Sequence, residues 1–315
     1  MTKVPKKPKI RKLGTVKCDV VESSPFVLRD HLYRMEYFRA ARRNKRNDGP
    51  TTWMKVFDME NQQAVASLAK DHHLGSAFSD GETVFISATA QCEDPEQPFL
   101  TWGGSRVDIY RSTDVKTWEL WGSVTLEGTY LFNTAMCKKD GVYTLAIETG
   151  AKTETGVDWS VRFAQSADGK EWTVLPEECC FEKGQQTGNP AIYVLPDDPY
   201  YYVFTIRENL GPYYTTDVVR SKDLIHWEYS PVNPVLIHDA EEDKKLAHPF
   251  FTLEEQQHIE QALDCNNSDL ELCEFRGRTI IYYSWGDQRG TEFLAEACYE
   301  GSMKDFLQGW FEIKE

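Results

Sequence analysis

The 315-residue sequence predicts an all-β chain: a five-bladed β-propeller of four-stranded antiparallel blades, with a helical insertion near 240–264. Three observations carry that expectation: a turn motif repeated at nearly constant spacing, alternating apolar stretches around each copy, and an unusual number of aromatic residues. Ser112, Asp114 and Trp118 spell S-x-D-x-x-x-W, as do Ser166, Asp168 and Trp172, and Ser221, Asp223 and Trp227. The serines lie 54 and 55 residues apart. A short polar side chain followed by Asp closes a tight turn on its own backbone, and the Trp then caps the next strand. A fixed period of this length marks a repeat architecture, and four antiparallel strands per repeat describe a propeller blade.

Stepping one period back reaches a degenerate copy at Phe57, Asp58 and Glu60. Stepping forward reaches another at Ser302, Asp305 and Phe306. The last interval is longer, 81 residues, and the excess falls at about 238–264. There Thr252 and Glu255 form a capping box that opens an apolar-periodic helix through Ile259 and Leu263. First strands begin near Ser24, Leu74, Asn133, Asn189 and Asp269, and second strands span 31–38, 83–88, 142–148, 200–208 and 279–285. The alternating segments 106–111, 160–165 and 217–220 lead into the three turns. This gives one propeller domain over 15–315, preceded by a basic tail over 1–14.

Composition excludes several functions. Fifty acidic against 35 basic side chains, a formal charge of −15, disfavour a nucleic-acid partner, which needs clustered Lys and Arg. Six of the ten residues from Lys3 to Lys12 are basic, and Arg42 to Arg46 form a second short run; both read as solvated segments. No stretch approaches the ~18 apolar residues of a membrane span. The first thirty residues lack a secretory apolar region, and the eight cysteines form no CxxC pair. A cytoplasmic protein with reduced thiols, without zinc or a disulfide framework, is the expectation. Phosphate-loop, nucleophile-elbow and HExxH patterns are missing. The 15 Tyr, 16 Phe and 9 Trp fit a large β core, a sugar-binding surface, or both.

In a propeller, first-strand starts and second-strand ends gather at one face of the axis. The starts supply His73, Asn133, Asn189, Asn267 and Asp269; the ends supply Glu36, Glu148, Glu208 and Trp285. Glutamate is depleted in strands, and a carboxylate after an apolar run is costly unless paired, solvated or used. An ion pair with Arg34, Arg39, Arg162 or Arg207 is the plain alternative, most of all for Glu36. Period-2 alternation puts Asn267, Asp269 and Glu271 on one face, with Asp269 the leading aspartate. Asp108 on a third strand reads as a partner behind the site or as an ion-pair residue. His73 reads equally as a donor to a sugar oxygen, as an acid, or as a loop-backbone partner. Glu292 is placed to reach the rim of the site, and Glu296 to serve the structure.

The S-x-D-x-x-x-W turns, the run Asn189, Pro190, Ala191 and Ile192, and the strands 200–204 and 280–284 together resemble the five-bladed propeller glycoside hydrolases of families 32, 43, 62, 68 and 117. The resemblance spans nearly the whole chain and implies a fold more firmly than a substrate. Those families place a catalytic Asp before a Pro at the first inner strand, with further acids on later inner strands. The matching positions here hold Ser24 before Pro25, Asn133, and Asn189 before Pro190. The resemblance therefore implies a divergent branch in which other acids act.

The expected activity is hydrolysis of a short oligosaccharide or glycoside, exo-acting, by paired carboxylates in the axial pocket. Asp269 is the expected base or nucleophile and Glu148 the acid, with Glu208 modulating or exchanging roles. Glu36, His73, Asp108, Asn133, Asn189, Asn267, Trp285 and Glu292 are the expected substrate contacts, with Tyr213 or Tyr214 beside Trp285 for stacking. No cofactor is required, and an axial metal follows only by analogy. A carbohydrate is the expected partner, with neither nucleic acid nor membrane, and the oligomeric state is open. Two rivals stand beside this reading. One is a non-catalytic carbohydrate-binding propeller. The other is a sugar phosphorylase or lyase, for which Arg34, Arg162, Arg207 and Arg289 supply cations.

Overall fold

A computed structural model describes residues 5–39, 52–91, 104–153, 156–181, 187–209 and 213–311. The basic run Arg42 to Arg46 lies outside the described residues. Strands dominate, and they fall into runs of four antiparallel neighbours. The first run is β2 (Ser23–Leu28), β3 (His31–Arg39), β4 (Thr52–Asp58) and β5 (Gln63–Leu68). The second is β6 (His72–Ser79), β7 (Val84–Gln91), β8 (Gly104–Ser112) and β9 (Glu119–Thr125). The third is β10 (Tyr130–Lys139), β11 (Val142–Thr153), β12 (Gly156–Ser166) and β13 (Thr173–Val174). The fourth is β14 (Thr187–Val194), β15 (Tyr201–Glu208), β16 (Tyr214–Ser221) and β17 (Trp227–Tyr229). The first strands of successive runs adjoin one another, β2 with β6, then β10, then β14. The start of the next run, β18 (Asn266–Phe275), adjoins both β14 and β2, which closes the series on itself.

The run that starts with β18 continues through β19 (Arg278–Gly286) and β20 (Glu292–Tyr299) and takes its fourth strand from the other end of the chain. That strand, β1 (Arg11–Cys18), pairs antiparallel with β20 from Arg11 opposite Cys298 to Cys18 opposite Phe293. Arg11 to Gly14, read from the sequence as the end of a basic tail, lie in this strand. The physical reason is that Lys12 is neutralised rather than solvated. Its ammonium lies 2.8 Å from Asp243 Oδ1 and donates to Asn267 Oδ1 at 2.6 Å. Ser302 is corrected as well, because its hydroxyl accepts from Asp305 N and caps the helix α3 (Met303–Gln308) where a strand turn was expected.

The three turn motifs form as their residue types require. Asp114 Oδ1 accepts from Lys116 N and Thr117 N, Asp168 from Lys170 N and Glu171 N, and Asp223 from Ile225 N and His226 N, all at 2.7–2.9 Å. Asp58 repeats the pattern with Glu60 and Asn61. The insertion carries α1 (Ala240–Asp243) and α2 (Leu253–Gln261), and the Thr252–Glu255 capping box is present. The helix stops at Gln261, leaving Leu263 exposed. Aromatic side chains fill the spaces between runs: Tyr202, Phe204, Tyr283, Trp285, Phe306 and Trp310 share one apolar cluster. No helix among the described residues is long and apolar enough to cross a membrane.

Closure by β1 rests on a buried ion pair, and removing one partner strands the other charge. Lys12→Met is expected to lower stability by about 3 kcal/mol, read as a shifted midpoint in urea unfolding. An unchanged midpoint would show that β1 is held by its backbone pairing alone.

Candidate active site

Four of the five first strands carry a register shift near their start. It falls between His73 and Ser76 in β6, Leu131 and Thr134 in β10, Gly188 and Ala191 in β14, and Ser268 and Glu271 in β18. In three of them a residue in the left-handed region makes the bulge: Leu74, Asn189 and Asp269, each with φ of 52°. Bulges re-aim side chains and recur beside active sites. Here they place Asn189 and Asp269 at the same level of neighbouring strands. They also break the alternation expected across Asn267, Asp269 and Glu271.

Glu148 is the residue these bulges organise. It stands on β11 opposite the bulge in β10, and its Oε2 accepts from Asn133 Nδ2 at 2.9 Å and from Asn189 N at 3.1 Å. A side-chain carbon added at Gly188 would sit 2.2 Å from Glu148 Oε1, so only glycine admits the carboxyl there. Burial pushes the Glu148 carboxyl up to about 7, and the nearby Asp269 charge adds to that rise; hydrogen bonds from the Asn189 backbone and from the Asn133 side chain and backbone oppose it. Asp269 accepts from Ser268 Oγ at 2.8 Å, and Ser268 Oγ also takes bonds from Asn266 and Gln288.

Glu271 is the residue that sequence reasoning left out of the site. Its Oε1 accepts from Ser76 Oγ at 2.8 Å and its Oε2 from the Tyr193 hydroxyl at 2.5 Å, and Ser24 also bonds it. Burial raises it to about 7, with Asp269 again contributing. The signal was present, a Glu two residues beyond the chosen Asp, but only the bulge turns it inward. Below it, the second halves of the first strands line a cavity of about 950 Å3, whose wall includes Ala77, Ala135, Ile192 and Glu271 itself. Glu148 and Asp269 do not line this cavity, which opens toward the other end of the axis. The Glu148 and Asp269 carboxyls therefore stand at the bulged end, apart from this cavity.

Several expected contacts are committed elsewhere. Glu36 is fully buried between Lys17 at 2.5 Å and Arg34 at 2.5 Å, which together hold its carboxyl below the usual range despite burial. Asp108 is bonded by Arg106, His72 and Ser123 and is likewise held low against its burial. Asn267 points to Asp243 and Lys12 beneath the insertion. Trp285 is a core residue with no exposed surface, stacked on Phe293 at 4.3 Å and donating to Thr15 Oγ1. It cannot serve as a sugar platform. Tyr213, half exposed, stacks on His238.

Glu208 does not match Glu148. In β15, Thr205 stands opposite the Asn189 bulge, so Glu208 lies three residues further along, exposed and 3.4 Å from the Tyr214 hydroxyl. Glu292 is buried, with Arg39 3.9 Å away. His73 is buried, its Nδ1 3.3 Å from the Tyr37 hydroxyl. Among the described residues, no three His, Cys, Asp or Glu side chains converge as metal ligands, and hydroxyl donors already occupy both Glu271 oxygens. These donors do not fit an axial metal.

No protein-family model matches this sequence, and no curated protein matches it. Solved structures do. An α-L-arabinofuranosidase from Podospora anserina, solved with cellotriose, matches at a TM-score of 0.61 and 7% identity, over 95% of this chain and 99% of its own. The catalytic domain of a family 62 α-L-arabinofuranosidase from Coprinopsis cinerea matches at 0.59 and 8% identity, over 94% and 98%. A family 43 enzyme from Xanthomonas citri matches at 0.54 and 10% identity, over 93% and 90%. The chain has the fold of these glycoside hydrolases, as its sequence resemblance implied.

Two outcomes follow from the geometry. Gly188→Ala displaces the Glu148 carboxyl and loosens its contacts to Asn133 and Asn189, visible as a shifted Glu148 carboxyl resonance in NMR. The second concerns Glu271, whose proton leaves near 4.5 in the unfolded chain and near 7 in the folded one. Between those values the folded state binds more protons, so its stability falls as pH rises. Glu271→Gln removes that loss, and its advantage over the parent grows from pH 4.5 to 7 and is level above. Parallel stability–pH curves for the two proteins would refute the raised Glu271 carboxyl.

Proposed function

We propose that the chain is a five-bladed β-propeller glycoside hydrolase in which Glu148 is the general acid and Asp269 the base or nucleophile. The closed series of first strands, each followed by three antiparallel neighbours, supports the five-bladed reading. The observation that carries the chemistry is a pair of carboxyl groups with unlike surroundings. Glu148 is enclosed and raised to about 7, while Asp269 is only partly buried and its charge contributes to that rise. Glycoside cleavage needs such a division: one carboxyl still holding its proton and one already ionised.

Glu148 gives its proton to the leaving oxygen. Asn133 Nδ2 and Asn189 N then stabilise the carboxylate that remains, bonds that strengthen as its charge develops. Asp269 receives a proton from the attacking water, or attacks the anomeric carbon itself. Inversion is the outcome the superfamily analogy favours. The substrate is a short oligosaccharide or glycoside, attacked at its end. Glu208, exposed and off the level of the bulges, is outside this pair.

A panel of aryl furanosides and pyranosides, 4-nitrophenyl α-L-arabinofuranoside among them, tests the reading. On whichever is cleaved, Glu148→Gln and Asp269→Asn each lower kcat by about a thousandfold. Activity falls as pH rises through about 7, because Glu148 loses its proton there. Asn133→Leu removes a bond to the charged carboxylate and moves that fall to higher pH. Full turnover by Glu148→Gln would sink the acid assignment.

A further inference from the structure

Two hydrogen-bond donors at the bulged end have no role in the acid–base pair. Arg39 ends β3, its guanidinium over the Tyr37 ring at 5.2 Å. Its ion pair with Glu292 is one approach of 3.9 Å without a hydrogen bond. Other arginines near buried carboxylates do better. Arg34 bonds Glu36 at 3.1 and 2.5 Å, and Arg106 bonds Asp108 at 2.7 and 2.8 Å. The Arg39 side chain is 16% exposed, so its fork is largely withdrawn from water while its donors stay unmatched among the described residues.

His73, the second residue of β6, meets the same Tyr37 at its hydroxyl. With the Tyr37 hydroxyl donating to Nδ1, the ring proton is assigned to Nε2, and that nitrogen is buried with no partner among the described residues. Burial, then the neighbouring His72 and Arg39, hold His73 down to about 4, so it is a neutral N–H donor at ordinary pH. His73 Nε2 and the Arg39 guanidinium, which meet on Tyr37, thus lack a hydrogen-bond acceptor among the described residues.

We propose that Arg39 and His73 form a carboxylate-recognition site that makes this enzyme selective for uronic-acid substrates. A planar guanidinium matches the two oxygens of a planar carboxylate, and one neutral N–H adds a third bond. Glu292 is the internal competitor, and its 3.9 Å approach leaves the fork's hydrogen bonds unmade. The inference rests on the hydrolase reading for its meaning, although binding alone tests it.

NMR titrations with D-glucuronate and D-galacturonate, set against D-glucose and D-galactose, supply the test. The parent protein binds the acids at least about tenfold more tightly than their neutral counterparts, the scale of a hydrogen-bonded charge. Arg39→Met and His73→Phe lose the preference, Arg39→Lys weakens it, and Glu148→Gln keeps it. Thermal unfolding establishes that each variant is folded; should Arg39→Met fail, Arg39→Lys and His73→Phe carry the test. Equal binding of acid and neutral sugars, binding of neither, or a preference that survives in the folded variants overturns the proposal. Uronate preference without cleavage of any aryl glycoside would sink the hydrolase reading and leave this one standing. Cleavage without preference would do the reverse.

Discussion

The carboxyl of Glu271 is where the inner strands meet. It belongs to β18 and takes hydroxyl bonds from Ser76 on β6 and Tyr193 on β14, with Ser24 of β2 beside them. One side chain thus ties four of the five first strands. Its enclosure raises its pKa, and the hydroxyl donors keep the buried group satisfied. The bulges just above it are fixed relative to one another by the same bonds. That shared level is what brings Asn189, Asp269 and Glu148 together.

Enclosure of carboxyl groups is used in two opposite ways in this protein. Glu36 and Asp108 are buried as deeply as Glu148, yet both are gripped by Arg forks and held in the ionised form. Among the described residues Glu148 has no cation among its bonded partners, which are the Asn133 side chain and backbone and the Asn189 N–H, so it keeps its proton to near neutrality. The distinction between an acid held ionised and one that keeps its proton lies in the partner, and burial alone does not make it. Sequence position did not separate the three glutamates at strand ends; their neighbours do.

What the sequence displayed well was local and repeated. The S-x-D-x-x-x-W turns and the Thr252 capping box depend on residues within a few positions of each other, and each forms as its chemistry requires. The sequence also offered Glu148 and Asp269 as acids at positions where a carboxylate is costly. What stayed hidden was set at long range or by register. The strand value of 11–18 was masked by its basic residues, whose buried counter-charge, Asp243, lies far along the chain. A one-residue irregularity in β18 sent Asn267 to the insertion and turned Glu271 to the axis, which strict alternation cannot foresee. Glu208 looked equivalent to Glu148 because strand ends were compared, although the bulges set the level. Trp285 looked like a platform because an aromatic at a strand end reads alike in a core and in a pocket.

The pairing of β1 with β20 sets an order of events in time. A ribosome makes β1 long before its partner, with Arg11 waiting for Cys298. Until then β1 is a strand without a neighbour, and the first-made sheets assemble beside an open circle. Joining contacts so distant along the chain is slow, because the ends must find each other before any bond rewards the search. The circle is therefore complete only once β20 has been made, and a nascent chain cut short before β20 carries an unpaired edge that invites association with other chains.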